Sequence, residues 1–298
     1  MCLERTTNQT GAKMIDNFYK AFEDKFRGSR ELILQRLKVY IPFLKIIHTI
    51  YPHSIVIDLG CGRGEWLEFT GEFGFKSHGI DMDVGMLENA KSFGLSAELG
   101  DAVEYLKTLS DESVSIISGF HIAEHLPFDI LQSLVQETYR VLKPAGLLIL
   151  ETPNPENIRV ATADFYLDPT HTRPIPSQLL AFLSEYYGFS RTKILRLQET
   201  IELANSDTVN ILQLIEGVSP DYAIIAQKQS SGEMMAQFDD LFLAEYGLAL
   251  DVLANRFENR LLKIEAEAKE TFIFKQTVQD SIIWKISQFI NSITKKTK

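Results

Sequence analysis

Short, fully apolar segments alternate with stretches of helical spacing between residues 54 and 228, and this alternation restricts the fold more than any other feature. Strands are predicted at residues 55–57, 77–80, 95–99, 114–118, 147–150, 192–198 and 222–226, with helices between them. Apolar strands separated by helices indicate parallel βαβ units, in which helices cover both faces of the sheet. The sequence therefore predicts an α/β fold, in which a seven-stranded, mostly parallel sheet lies between two layers of helices.

The sequence on either side of this alternating region predicts helices. Residues 14–50 have the spacing of two helices, and Ser29 is placed to cap the second of them. A polar segment at residues 227–232 is the predicted linker, and the composition beyond it is helical almost to the last residue. We expect residues 1–228 to form one domain and residues 229–298 to form a helical tail.

The charge and the cysteine count exclude several classes of protein. The 298 residues carry 40 acidic and 30 basic side chains, a net charge of −10, which argues against a general nucleic-acid binder. Two cysteines, Cys2 and Cys61, are too few for a disulfide framework or a cysteine zinc cage. No run of 18 apolar residues predicts a membrane span, and the polar N-terminal sequence is untypical of a signal peptide. We therefore expect a cytoplasmic protein.

Gly60, Gly62 and Gly64 alternate directly after the first strand and open a helix. Glycines in such a turn permit positive φ and let a ligand approach the main chain, while the helix N-terminus can receive an acidic group. A dinucleotide site needs its third glycine one position later, and Glu65 occupies that position and would repel a pyrophosphate. The pattern, preceded by Asp58, resembles motif I of class I S-adenosylmethionine-dependent methyltransferases. A tight βα turn that binds nothing is the structural alternative.

Three acids follow the second and third strands. Asp81 ends the second strand, where a carboxylate can accept two hydrogen bonds from ribose hydroxyls, and Asp83 is expected to cap the next helix. The methyltransferase resemblance implies that Asp101 meets the adenine amino group. The alternative is that Asp101 caps the helix at residues 103–109, and one residue can fill both roles. Neighbouring residues complete the predicted cofactor site, namely Cys61, Met82, Ala102 and Phe120.

Two histidines and a glutamate follow the fourth strand, at the sheet edge where ligands of α/β proteins bind. His121, Glu124 and His125 match a zinc-protease signature, but that site needs both histidines on one helix and a third ligand, so no metal is predicted. Transfer of a methyl group to a hydroxyl is instead helped by a base. We expect His121 to be this base and Glu124 to support it, while His125 either contacts the acceptor or has a structural role.

Further strings of sequence extend the resemblance over residues 14–228. They lie at residues 27–30, 124–127, 140–146, 151–157 and 165–174. Together they resemble the bacterial methyltransferases of surface-polysaccharide assembly, including enzymes that methylate the non-reducing end of an O-antigen chain and so stop its growth. This resemblance implies a Rossmann-like methyltransferase fold, S-adenosylmethionine as cofactor, and an acceptor that is a glycan hydroxyl or the phosphate of a terminal sugar.

The resemblance also implies roles for residues outside the glycine turn. It places the loops after the fifth strand over the cofactor, so that three residues line the acceptor side, namely Asn154, Tyr166 and Asp168. His171 is the rival base, and Arg27 and Arg30 could clamp the cofactor carboxylate or a substrate anion. The alternatives are that the proline-rich loops only brace the rim of the site and that both arginines are solvated.

The tail has two parts with different character. Residues 233–274 have about two clean heptads, which predicts either a coiled coil, as in a homo-oligomer, or a helix packed on the catalytic domain. Residues 281–298 contain four lysines, no acid and apolar residues at helical spacing, which is typical of an interfacial amphipathic helix. The sequence thus predicts a tail that docks on a membrane surface, such as the inner membrane, or on a glycosyltransferase partner. A terminal helix packed on the body is the alternative.

Three rival functions stay open at this point. One is an O-methyltransferase acting on a small quinone or phenol, and another is an NAD-dependent oxidoreductase. The third is an assembly factor that recruits glycan polymerases through its tail and keeps the cofactor only as a structural element.

Overall fold

The computed structural model describes residues 28–296 as a Rossmann-like α/β fold with a helical C-terminal extension. The N-terminal helix predicted before Gly28 and the predicted substrate ligand Arg27 lie outside the described residues. The strands are β1 Ile55–Leu59, β2 Lys76–Asp81, β3 Ala97–Leu99, β4 Val114–Phe120, β5 Leu142–Pro153, β6 Arg191–Leu197 and β7 Asp221–Gln227. They form one sheet in the order β3-β2-β1-β4-β5-β7-β6, in which β7 runs antiparallel to the other six strands. The predicted fold class is confirmed.

Helices cover both faces of the sheet. They are α1 Arg30–Arg36, α2 Ile41–Ile50, α3 Glu65–Glu72, α4 Val84–Ser92, α5 Ala102–Thr108, α6 Phe128–Val141, α7 Ile158–Thr162, α8 Ser177–Tyr186, α9 Ile201–Ala204, α10 Ile211–Glu216, α11 Gly232–Ala236, α12 Asp239–Leu243, α13 Leu250–Asp280 and α14 Ile282–Lys296. One apolar core joins the sheet to α5, α6 and α8, and a second joins its other face to α2 and α3. Burial on both faces explains why the central strands are apolar throughout.

The N-terminal helices bring a tyrosine to the carboxyl edge of the sheet. Ser29 caps α1 as predicted, because its hydroxyl accepts a hydrogen bond from the Leu32 amide. A 3₁₀ turn, Leu37–Tyr40, joins α1 to α2, and Pro42 lies in the first turn of α2, where its missing amide hydrogen costs nothing. Tyr40 is fully buried at this junction.

The segment after the sheet first packs on the body and then leaves it. The predicted linker begins too early by two residues, because the Gln227 and Lys228 side chains are buried and donate to the backbone carbonyls of Ala145 and Leu142 at the start of β5. Phe238 and Leu253 are fully buried, whereas most of α13 beyond Leu261 is exposed. Among the described residues, no helix is both long and apolar enough to cross a bilayer.

Candidate functional site

A cavity of about 1180 Å³ opens at the carboxyl ends of the parallel strands. One end is lined by the glycine turn after β1 and by the acids that follow β2 and β3. The other end is lined by His121, Glu151, His171 and Asp221. The volume exceeds that of ordinary single-ligand pockets, so the cavity has room for a cofactor and an acceptor side by side.

The glycine turn adopts the backbone conformation that its sequence predicts. Gly60, Gly62 and Gly64 have φ of 67°, 51° and 81°, which favours glycine over residues with a Cβ. The amides of Gly60 and Cys61 both donate to the Ile80 carbonyl, at 2.8 and 3.1 Å, so the turn is tied to the end of β2. The turn therefore forms one wall of the cavity without a side chain in the way.

The Asp81 carboxylate organises this wall. Its Oδ2 accepts from the Gly62 amide at 2.7 Å and its Oδ1 accepts from the Asp83 amide at 2.8 Å. Asp83 caps α4, as predicted, through its bond with the Met86 amide. Asp101 likewise caps α5 and also lines the cavity, so the two roles considered for this residue are compatible.

The remaining predicted cofactor residues lie at the same end, with one exception. Asp58 is buried and accepts from the Ser118 hydroxyl at 2.7 Å, while Cys61, Met82, Ala102 and Phe120 line the cavity. The Met82 side chain is 75 % exposed there, as expected of an apolar surface that a flat ring would cover.

Arg30 is the exception. Its guanidinium donates to the Glu68 carboxylate and to the Arg63 carbonyl and does not line the cavity, so it braces the turn from behind. A clamp on the cofactor carboxylate would require Arg30 to give up this ion pair.

We expect a Gly79→Ala substitution to destabilise the protein by about 1–3 kcal/mol and to weaken cofactor binding. A Cβ on Gly79 would lie 2.5 Å from the Sγ and 2.6 Å from the Cβ of Cys61, so the glycine turn would have to move. Urea unfolding and cofactor titration measure the two effects. Gly71→Ala is the matched control, because its added methyl meets nothing within 4 Å in helix α3. Equal stability of the two variants would contradict the expected clash.

His121 is held in an unusual conformation at the other end of the cavity. Its φ of 57° is left-handed, a strained state for a residue with a side chain, and its amide donates to the Glu151 carbonyl at 2.8 Å. Nδ1 lies 3.1 Å from Oε1 of the fully buried Glu124, whose Oε2 accepts from the Thr152 hydroxyl at 2.8 Å. Glu124 thus fixes the ring and leaves Nε2 on the cavity side, 3.9 Å from Glu151 Oε1.

The neighbouring carboxylates control the protonation of His121. Burial alone would lower its pKa, but the hydrogen bond to Glu124 and the negative charges of Asp221, Glu124 and Glu151 raise the pKa to about 9. Burial would raise the pKa of Glu124, yet the hydrogen bond and charge of His121 hold it below its ordinary value. The pair is therefore an ion pair at neutral pH, in which His121 carries a proton.

Several residues at this end were not predicted from the sequence. Glu151 is buried in β5 and accepts hydrogen bonds from the Tyr40 hydroxyl and, at 3.0 Å, from Gln198 Nε2. Asp221 begins β7, and Arg36 projects from α1. Burial raises the pKa of both the Glu151 and the Asp221 carboxyl. The signals for Glu151 in the sequence were its charge directly after the apolar fifth strand predicted at residues 147–150 and its place in the string at residues 151–157.

The loops after β5 bring His171 next to the segment that contains His121 and His125. His171 Nδ1 donates to the Phe165 carbonyl at 2.6 Å, which leaves Nε2 3.9 Å from both Glu124 Oε1 and Asp168 Oδ2. Asp168 and His171 both line the cavity, as does His125, whose ring packs edge-on against His171 at 4.7 Å. Burial lowers the pKa of His125. His125 therefore has a packing role in addition to any contact with the acceptor.

Two predicted acceptor residues are placed elsewhere. Asn154 is buried, donates to the Ser219 carbonyl at 2.8 Å and accepts from the Glu156 amide, so it braces the loop, which is the alternative considered for this region. Tyr166 is exposed and does not line the cavity.

In the part of the chain that the structure describes, two groups of side chains have the composition and spacing to bind a cation. Glu124, His125 and His171 form one, and His121, Glu151 and Asp221 form the other; in each group the possible ligand atoms lie within 4.8 Å of one another. Neither group has the two histidines on one helix that the zinc-protease signature requires.

Known proteins resemble the chain over this region. Residues 57–150 match a family described as a methyltransferase domain. An S-adenosylmethionine-dependent methyltransferase of Mycolicibacterium smegmatis is 29 % identical over 163 residues, 54 % of this chain and 62 % of that protein, so the chain spans less than two thirds of it. YodH, an uncharacterized methyltransferase of Bacillus subtilis, is 31 % identical over 182 residues, which cover 57 % of this chain and 75 % of YodH.

A solved structure and a group of named enzymes extend this likeness. A crystal structure of an S-adenosylmethionine-dependent methyltransferase from Archaeoglobus fulgidus superposes with a TM-score of 0.63 and 35 % identity, over 71 % of this chain and all of that one. A ubiquinone biosynthesis O-methyltransferase of Klebsiella pneumoniae is 26 % identical over 187 residues, 57 % of this chain and 73 % of that enzyme.

Proposed function

Because the chain belongs to the class I S-adenosylmethionine-dependent methyltransferases, we propose that it transfers the methyl group of this cofactor to a hydroxyl group of a bacterial surface glycan. The observation that carries the proposal is the acceptor end of the cavity. There, His121 is held by Glu124, beside Glu151, Asp221 and Gln198. Carboxylate and amide oxygens are the groups that hydrogen-bond ring hydroxyls.

The residues at the other end suit S-adenosylmethionine. Among the described residues, ten acidic side chains and one arginine line the cavity, an arrangement that favours a ligand with a sulfonium and an ammonium group. We assign the ribose hydroxyls to Asp81 and the adenine to Met82 and Asp101. When bound, the cofactor supplies an electrophilic methyl group.

The same charge balance bears on the acceptor. A phosphate would enter a cavity rich in carboxylates, in which Arg36 is the one arginine among the described lining residues, so the lining supports a neutral hydroxyl acceptor over a terminal phosphate. In the reaction, the acceptor hydroxyl loses its proton to Nε2 of His121 as its oxygen is methylated. Glu124 then stabilises the imidazolium through Nδ1. His171, whose Nε2 also faces Glu124, is the alternative base.

We expect kcat/KM to rise with pH up to about 9 and to level off above it. A general base must be unprotonated, and a His121 pKa of about 9 leaves roughly one molecule in a hundred in that form at pH 7. The pH–rate profile with saturating cofactor measures this. His121→Gln should abolish the rising limb. A wild-type rate that is flat between pH 7 and 9 would argue against His121 as the base.

Mass spectrometry of candidate glycans incubated with isotope-labelled cofactor tests the proposed acceptor. A mass increase of one labelled methyl on a neutral oligosaccharide, with none on the same glycan acetylated at its hydroxyls, is the expected result. Methylation confined to a non-reducing terminal sugar would support a role in ending chain growth. We propose a lipid-linked polysaccharide as the natural form of this glycan acceptor, which would place the enzyme at the inner face of the membrane.

An O-methyltransferase acting on a quinone or phenol is the second candidate. It is favoured by the similarity to ubiquinone biosynthesis O-methyltransferases and by apolar residues in the cavity wall, such as Leu37, Leu126 and Leu167. A catechol-type acceptor assayed beside the glycans separates the two. Turnover of the phenol alone would overturn the glycan proposal.

A further inference from the structure

The C-terminal helix α14 presents an uncovered apolar face. Ile282, Ile283, Ile286 and Phe289 are 75 %, 81 %, 53 % and 66 % exposed, and Ile290 and Ile293 are at least half exposed. Such a concentration of large apolar side chains on one short helix is unusual for a surface that meets only water. This exposed apolar face indicates a helix that contacts an apolar surface.

These side chains lie on one side of the helix. At about 100° per residue, the five isoleucines and Phe289 fall within an arc of roughly 120°. Lys285 flanks this arc, and Ser287, Gln288 and Asn291 lie on the remaining surface. Trp284 is on the polar side by the same spacing and is not part of the apolar face.

Within residues 28–296, the body of the protein leaves this face exposed. Ser281 interrupts the helices with an extended backbone (φ −63°, ψ 147°) and begins α14 as a separate element. The end of α13 that precedes it is itself exposed at Phe272, Ile273 and Phe274. The last anchors of α13 to the body are Arg256 and Arg260, which donate to carbonyls of Leu203 and Val209.

Charge identifies the occupant. Residues 281–298 contain four lysines and no acid, whereas the whole chain has a net charge of −10, so the rest of it carries −14. A cationic helix with an apolar face complements an anionic lipid surface, while an acidic body is repelled by one. Two copies of α14 packed on each other would bring lysines together with no acid to pair them, which disfavours a second copy.

We infer that α14 lies in the interface of an anionic membrane, with its isoleucines and Phe289 among the acyl chains and its polar side in water. Its 15 residues are about 22 Å long, which is too short to cross the hydrocarbon core and suits a helix parallel to the surface. This membrane contact involves the tail alone and does not depend on which acceptor the catalytic site methylates.

Vesicle co-sedimentation of the full-length protein tests the inference. The probes are vesicles of phosphatidylcholine alone and vesicles with about 30 mol % phosphatidylglycerol. We expect binding to the anionic vesicles that weakens with salt, and a partition coefficient at least roughly tenfold lower for neutral vesicles. Ile286→Ser/Ile290→Ser should weaken binding by on the order of 100-fold. Ser287→Ala/Gln288→Ala, on the polar side, should leave it unchanged.

Other outcomes would overturn the inference. The wild-type protein could stay in the supernatant with anionic vesicles, or both double variants could bind alike. A concentration-dependent dimer that Ile286→Ser/Ile290→Ser converts to a monomer, with no vesicle binding by the wild type, would identify a second copy as the occupant. Methyl transfer to a soluble acceptor, measured on the same proteins, is expected to be equal in all of them.

Discussion

Replacing His121 by alanine is expected to lower the rate of methyl transfer by roughly 10²- to 10⁴-fold while cofactor affinity stays within a few-fold of wild type. His121 is the histidine whose Nε2 faces the cavity while Nδ1 is held by a buried carboxylate. Its removal takes away the proposed proton acceptor but leaves the glycine turn and Asp81 in place. Single-turnover transfer of labelled methyl and calorimetry with S-adenosylmethionine measure the two properties separately.

Histidine variants elsewhere sharpen this prediction. His78→Ala is the matched control, because His78, which lies on β2, is hydrogen-bonded to Ser96 and does not line the cavity. His171→Ala should reduce the rate less than His121→Ala does. If His121→Ala turns over at nearly the wild-type rate and His171→Ala does not, His171 is the base and His121 is not.

Asp81→Ala is expected to weaken S-adenosylmethionine binding by roughly 10²- to 10³-fold. Both carboxylate oxygens hold backbone amides, of Gly62 and Asp83, and a hydrogen bond to a charged group contributes about 1.5–3 kcal/mol. The substitution therefore removes the proposed ribose ligand and loosens the turn that carries it. Equilibrium binding of the cofactor, with urea unfolding on the same protein, separates affinity from stability.

Two further variants define what Asp81 contributes. Asp83→Ala removes a carboxylate that caps α4, so it should cost about 1 kcal/mol of stability and change affinity little. Asp81→Asn keeps one oxygen that can accept a hydrogen bond from the turn. It should bind S-adenosylmethionine with an affinity between those of the wild type and Asp81→Ala. A cofactor affinity for Asp81→Ala within threefold of wild type would show that this acid does not hold the ribose.

The parts of the site that could be predicted are those set by local sequence. The glycine turn, Asp83 and Asp101 depend on contacts within a few residues, and each lies where the strand–turn–helix pattern predicts. His121 and Glu124 are only three residues apart, so the contact between them could also be predicted from the sequence.

The parts that could not be predicted depend on pairings distant in sequence. Asp221 reaches the cavity because β7 runs antiparallel, which brings the start of that strand to the carboxyl edge of the others. Asn154 braces a loop through Ser219, 65 residues away, and Arg30 pairs with Glu68. Spacing within a segment carries no information about such partners.

The tail illustrates the same limit. Helical spacing predicted helices after residue 229, and α13 and α14 confirm them. The same spacing could not separate Phe238 and Leu253, which are buried against the body, from Leu261 and Ile264, which are exposed. Apolar periodicity identifies a helix face, whereas the partner of that face is decided by tertiary packing.

The hydrogen bond from Tyr40 to Glu151 has a consequence for how this enzyme could diversify. The segment that matches the methyltransferase domain family, residues 57–150, contains the glycine turn and His121 but stops one residue before Glu151. The matched segment does not contain four residues that line or brace the other end of the cavity. Tyr40 precedes it in the sequence, and Glu151, His171 and Asp221 follow it. On the proposed assignment of these residues to the acceptor, mutations in the flanking elements would change which molecule is methylated while the donor site stays intact, so acceptor choice and donor use would evolve as separate modules.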